Sequence, residues 1–109
     1  MEYLELKQRI REYNWDDGFV VVQEILDDSN CDLALALEIF YLADGYAYLE
    51  NFNTNFKLED WSSFISNLYK DIIDGKYKKT KSVFEIPLSK VQKYKFIKKQ
   101  VPEVFLTDL

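Results

Sequence analysis

The sequence predicts an all-α fold, a compact single-domain bundle of about five helices spanning residues 1–109 with one buried central helix. Three observations carry this. Only three Gly and two Pro punctuate the chain, too few for the tight turns of a sandwich or barrel. Apolar residues recur at helical spacing along most of its length. Hydrophobic content is 48 %, including eight Tyr, eight Phe and two Trp, enough bulk for a core at this size.

Tyr3, Leu6, Ile10 and Tyr13 fall on one stripe, predicting an amphipathic surface helix that ends near Asn14. Asp16 and Asp17 are placed to cap the next helix, whose positive dipole end their charge suits. Phe19, Val22, Ile25 and Leu26 share its face, although Val20 to Val22 would also suit a short strand. Asp27-Asp28-Ser29-Asn30 breaks it with turn-forming residues. Asn30 or Asp32 starts a third helix, where Glu38 is the only charge between Leu33 and Ala43. A segment apolar nearly all round belongs at the centre of a bundle. Asp44-Gly45 stops or bends it, and the aromatic stretch beyond runs into a loop over Asn51-Phe52-Asn53-Thr54-Asn55.

Trp61, Phe64, Ile65, Leu68 and Ile72 make the cleanest helix, with Gly75 as its stop. A basic connector, Lys76 to Lys81, leads to an extended stretch from Val83 to Pro87, since proline disfavours helix at Ile86. Ser89 with Gln92 makes a capping box for a helix reaching about Lys99. Val91, Tyr94 and Ile97 share one side of that helix and Phe96 points to the other. Pro102 ends the run, and Val104-Phe105-Leu106 reads as an apolar tail folded back on the bundle.

Histidine is absent and Cys31 is the single cysteine. These counts remove Ser-His and Cys-His nucleophile pairs, cysteine metal clusters and intramolecular disulfides. Carboxylate, lysine or tyrosine chemistry remains, and no motif signals it. The expectation is a non-enzymatic protein with no cofactor and no metal site. Neither a membrane-length apolar run nor a secretory leader is visible, so a cytoplasmic location is expected.

The net charge of −5 hides a split. Residues 1–62 hold fourteen Asp/Glu against four Lys/Arg, a balance of −10, and residues 63–109 hold five against ten, a balance of +5. Duplex DNA binding wants a dominant basic field, which this chain lacks. An acidic half instead permits docking onto a basic protein. The sharpest candidates are Trp15-Asp16-Asp17-Gly18 and its echo at Asp44-Gly45. They read first as helix-junction residues, with a charged binding surface as the competing reading. The candidate partner contacts are Trp15, Asp16, Asp17, Asp27, Asp28, Asp44, Tyr46 and Tyr48, with tyrosine and tryptophan as anchors. The competing reading puts these aromatics, with Tyr41 and Trp61, in the core. A nucleic-acid regulator using Lys76 to Lys99, with Tyr77, Tyr94 and Phe96 stacking on bases, is the alternative. An uncharacterised structural helical domain is another.

Asn14-Trp15-Asp16-Asp17-Gly18, Asn30 to Leu37 and Phe40-Tyr41-Leu42-Ala43-Asp44-Gly45-Tyr46 resemble a small bacterial family of unknown function, number 4274. Leu88 to Lys95, with Pro102 to Leu106, is similar to its C-terminal extension. The resemblance implies a small helical bacterial protein and carries over no catalytic residue. It also suggests an immunity partner in a toxin system, which makes a basic toxin domain the expected partner.

Overall fold

A computed structural model describes residues 1–50 and 59–109. Among them run six α-helices: α1 (Tyr3–Glu12), α2 (Val20–Asp27), α3 (Leu33–Leu42), α4 (Gly45–Glu50), α5 (Glu59–Ile73) and α6 (Lys90–Lys98). Short 3-10 turns cover Trp15–Asp17 and Glu103–Phe105. No strand occurs among the described residues. The expected loop over Asn51 to Asn55 lies outside the described residues. The sixth helix, α4, is the one the sequence hides. Its six residues are too short for a periodic signal, and it begins directly after α3.

The prediction for α3 holds. Ala34, Leu35, Ala36, Leu37, Ile39 and Phe40 are all buried, and α5, α4 and Phe105 pack around them. Each flanking helix contributes one stripe: Leu6 and Ile10 from α1, Val22, Ile25 and Leu26 from α2, and Phe64, Ile65, Leu68 and Ile72 from α5. Val20 to Val22 are helical; Val22 gains burial on α2's inner face, which outweighs the β preference of three valines. The radius of gyration, 13.6 Å, agrees with the roughly 13 Å of a compact domain this long.

Polar groups close the helix ends. Asp32 caps α3 by accepting from Leu35 N–H, and Ser89 and Gln92 form the expected capping box on α6. At Gly75 (φ 78°) two backbone bonds, Gly75 N–H to Ile72 and Lys76 N–H to Asp71, close α5 as a Schellman motif. Gln100, at φ 63°, closes α6 the same way through Gln100 N–H to Ile97 and Val101 N–H to Phe96.

One of the two Asp-Gly junctions differs from expectation. Asp16 and Asp17 do not cap α2, whose N-cap position is Phe19, with no side-chain cap bond. They lie instead in the 3-10 turn, which Asn14 caps by accepting from Asp16 N–H. Gly18 (φ 84°) then turns the chain, and Tyr13 hydroxyl donates to its carbonyl at 2.6 Å. At the second junction the left-handed residue is Asp44 (φ 65°), not Gly45. Gly45 is needed for space: a Cβ there would lie 2.2 Å from the Phe40 ring and 2.6 Å from Phe40's carbonyl oxygen.

The C-terminal segment runs back over the bundle. Phe84 and Leu109 exchange both backbone hydrogen bonds, and Ile86 N–H donates to Asp108. Phe105 is fully buried against Phe40 and Tyr69, and Tyr41 hydroxyl donates to its carbonyl. On α6, Phe96 is the inward residue. Val91, Tyr94 and Ile97 face solvent at 65, 58 and 60 % exposure, because one large ring toward Tyr46 anchors so short a helix.

Candidate functional site

The acidic residues divide between two ends of the bundle. Asp16 and Asp17 precede α2, while Asp27 and Asp28 close it, eight helical residues or about 12 Å further along. α5 runs between the two ends. Near its start, Trp61 Nε1–H donates to the Ala43 carbonyl at 2.6 Å, and Phe64 stacks on Phe19 at 4.5 Å. These contacts bring the end of α3, which Asp44 follows, and the start of α2, which Asp16 and Asp17 precede, to the end of α5 that carries Asp60. Beyond its other end, Lys76 meets Asp27 and Asp71 at 3.2 and 3.5 Å.

At the lower end the carboxylates are satisfied. Asp28 accepts from Asn30 N–H and pairs with the N-terminal ammonium at 3.3 Å; the Asn30 bond contributes most to holding its carboxyl below the usual value. Asp32 is 5 % exposed. Burial pushes its carboxyl up, but Thr80 hydroxyl at 2.6 Å, Leu35 N–H at 2.9 Å and the Ser82 and Tyr3 hydroxyls outweigh it, so the group titrates below the ordinary range. A hollow of about 330 Å³ lies here, lined among others by Cys31, Asp32, Lys76 and Tyr77. Burial, helped by the charge of Asp32, pushes the Cys31 thiol up to about 12, so it holds its proton and is a poor nucleophile at neutral pH. Burial likewise raises the Tyr77 hydroxyl.

The upper end is different. Asp16, Asp17, Asp44 and Asp60 are exposed, and none of them forms an ion pair among the described residues. Half-buried Trp15 directly precedes Asp16, its ring edge-on to Tyr13 at 5.6 Å. Beside them a shallow hollow of about 460 Å³ opens between α2 and α5, lined by Phe19, Val20, Gln23, Asp60, Ser63 and Phe64. This end thus pairs uncompensated negative charge with exposed apolar surface.

The eight residues expected to contact a partner do not form one patch. Trp15, Asp16, Asp17 and Asp44 share the upper end. Asp27 and Asp28 sit at the lower end in ion pairs. Tyr48 is buried at 9 % exposure, tilted against Tyr69, and Tyr46 is half-buried edge-on to Phe96. Both tyrosines pack as core aromatics, as Trp61 and Tyr41 do. Asp60 and the Phe19–Phe64 hollow escaped the sequence reading. The available signal was an acidic residue directly before Trp61 on the cleanest helix. Their approach to Phe19 is a tertiary contact between residues forty-five positions apart.

A family model described as a domain of unknown function, DUF4274, matches residues 4–79. The chain belongs to that family. The DUF4274 match takes in both acidic ends and stops before the extended segment and α6, so the likeness seen over Leu88 to Leu106 lies beyond it. No curated protein and no solved structure matches the chain. Among the described residues no helix is long and apolar enough to cross a membrane, and no group of three or more His, Cys, Asp or Glu is placed to hold a metal ion.

Proposed function

We propose that this chain is a non-enzymatic protein-binding module that docks a basic partner on its upper end, acting as an immunity or inhibitor protein that occludes a bacterial toxin. One observation carries the docking reading: the exposed carboxylates of Asp16, Asp17, Asp44 and Asp60 have no cation among the described residues, although the same chain pairs Asp27 and Asp28 at its other end. Such charges steer a basic partner on approach, and Trp15 with the Phe19–Phe64 hollow supplies apolar contact once it arrives. Asp44 adds weight. It occupies a left-handed conformation that glycine adopts more readily, so a carboxylate is kept there at some cost to the fold. Assignment of the partner as a toxin rests on the family likeness.

In a nuclease toxin the carboxylates would stand in for phosphate in a basic cleft. Calorimetric titration with the product of any toxin-like reading frame adjacent to the gene for this chain tests the proposal. Tight binding weakened by Asp16→Lys and Asp44→Lys supports it; no complex, or binding indifferent to both changes, counts against it. The nucleic-acid alternative has less support, because Tyr77 and Phe96 are buried and only Tyr94 of the proposed stacking trio is open to a base.

A further inference from the structure

Two faces of this molecule are unpartnered among the described residues, and they complement each other. The first is the outer face of α6. Val91, Tyr94 and Ile97, spaced three apart, form an exposed apolar stripe. Lys90, Lys95 and Lys98 lie along it, with Lys98 Nζ 4.8 Å from the centre of the Tyr94 ring. The helix contains no acidic residue. Its other lysine, Lys93, reaches Asp108 at 4.0 Å. The second face is the hollow between α2 and α5. Phe19 and Phe64 floor it, Val20 stands 74 % exposed at its lip, and Asp60 lines it with Asp16 and Asp17 just before Phe19.

We propose that α6 of one copy seats on the α2–α5 hollow of a second copy, making this chain a head-to-tail self-associating protein. The geometry is a short helix laid in a groove, with anchors from successive turns entering apolar surface and lysines meeting carboxylates at the rim. Charge complementarity selects this occupant. Among the described residues Lys90, Lys95 and Lys98 have no anionic partner, Asp16, Asp17 and Asp60 have no cationic one, and each copy supplies both. Net charge of −5 on every copy opposes association at long range. The local pairing overcomes this only at short range, so the contact is weak and concentration-dependent. A heterologous contact of this kind extends into chains or closes into rings. It covers the same acidic end that the proposed partner uses, so self-association would be displaced when that partner binds.

Complementation of two surface variants tests the inference. Tyr94→Glu with Lys98→Glu spoils the helix face and leaves the hollow intact. Val20→Lys with Asp60→Lys spoils the hollow and leaves the helix intact. All four side chains are exposed, and circular dichroism checks that both variants stay folded. In sedimentation equilibrium the unmodified chain should rise above its 13.0 kDa monomer mass as concentration increases, and fall back at high salt. Each variant alone should associate about tenfold more weakly or worse. An equimolar mixture should recover association but stop at two chains, because only one intact pair of faces remains. A wild-type chain monomeric up to millimolar concentration would overturn the inference. So would a mixture that stays monomeric, or variants that associate as the parent does. No partner protein enters the assay, so this inference and the partner-binding reading can fail separately.

Discussion

The two acidic ends of the bundle are alike in composition and opposite in state. At the lower end, Asp27, Asp28 and Asp32 are each met by a cation or by hydrogen-bond donors drawn from distant parts of the chain. There the carboxylates tie the α2–α3 turn to Lys76–Thr80 and hold the fold together. At the upper end, Asp16, Asp17, Asp44 and Asp60 meet no cation among the described residues, and Asp60 lines the apolar hollow between α2 and α5. Negative charge in a sequence therefore has no fixed meaning: its role depends on what folding brings within reach.

If the lower end is structural, Asp32→Ala should give the largest effect, a loss of about 2–4 kcal/mol. It removes the α3 cap and leaves Thr80 and Leu35 donors without their acceptor. Urea denaturation measures it, and a loss below about 0.5 kcal/mol would break the contrast between the ends. The same residue sets a pH dependence. Its folded-state carboxyl titrates below the ordinary value near 4, so its stabilisation is complete above that value and disappears as pH falls through the lower folded-state value. Asp28, also lowered, adds in the same direction. Asp32→Asn should flatten the acid limb of stability against pH.

The upper end should behave in reverse. Asp16→Lys with Asp44→Lys should cost no more than about 1 kcal/mol, most of it because lysine tolerates the left-handed backbone at Asp44 less well than aspartate, yet weaken a basic partner by about tenfold or more. Asp44→Gly sharpens the comparison further. Relief of the left-handed backbone should stabilise the fold by about 0.5–1 kcal/mol while partner affinity falls. Thermal melts and titrations on one preparation would show the two moving in opposite directions; a melt that does not rise removes the argument that Asp44 is retained at a cost. The smallest effect belongs to Lys76→Ala. Its pairs with Asp27 and Asp71 are exposed, so the change should cost less than about 1 kcal/mol and vanish in high salt.

Much of this fold is legible in the chain. The stripes of α1, α2 and α5, the apolar run of α3, the Asp32 cap, the Gly75 stop and the Ser89–Gln92 box are local signals, because helix faces and caps involve residues within one or two turns of each other. α4 was hidden by its length. Asp44-Gly45 ends α3 where the sequence places the break, whereas Asp17, expected to cap α2, does not. The inward side of α6 was not settled by periodicity, since Phe96 alone outweighs the three apolar residues on its other face.

The candidate site was half legible. Composition singles out Trp15, Asp16, Asp17 and Asp44, while nothing local distinguishes Asp60. Tyr46 and Tyr48, expected as partner anchors, pack against Phe96 and Tyr69.

By itself, the sequence determined the helical class, most helix boundaries and the uneven charge, because these follow from short-range spacing and residue chemistry. Tertiary structure decided which carboxylates are spent on the fold and which remain open. That outcome turns on contacts such as Trp61 to Ala43, Phe19 to Phe64 and Lys76 to Asp27. Each joins residues eighteen or more positions apart, a distance no local pattern encodes.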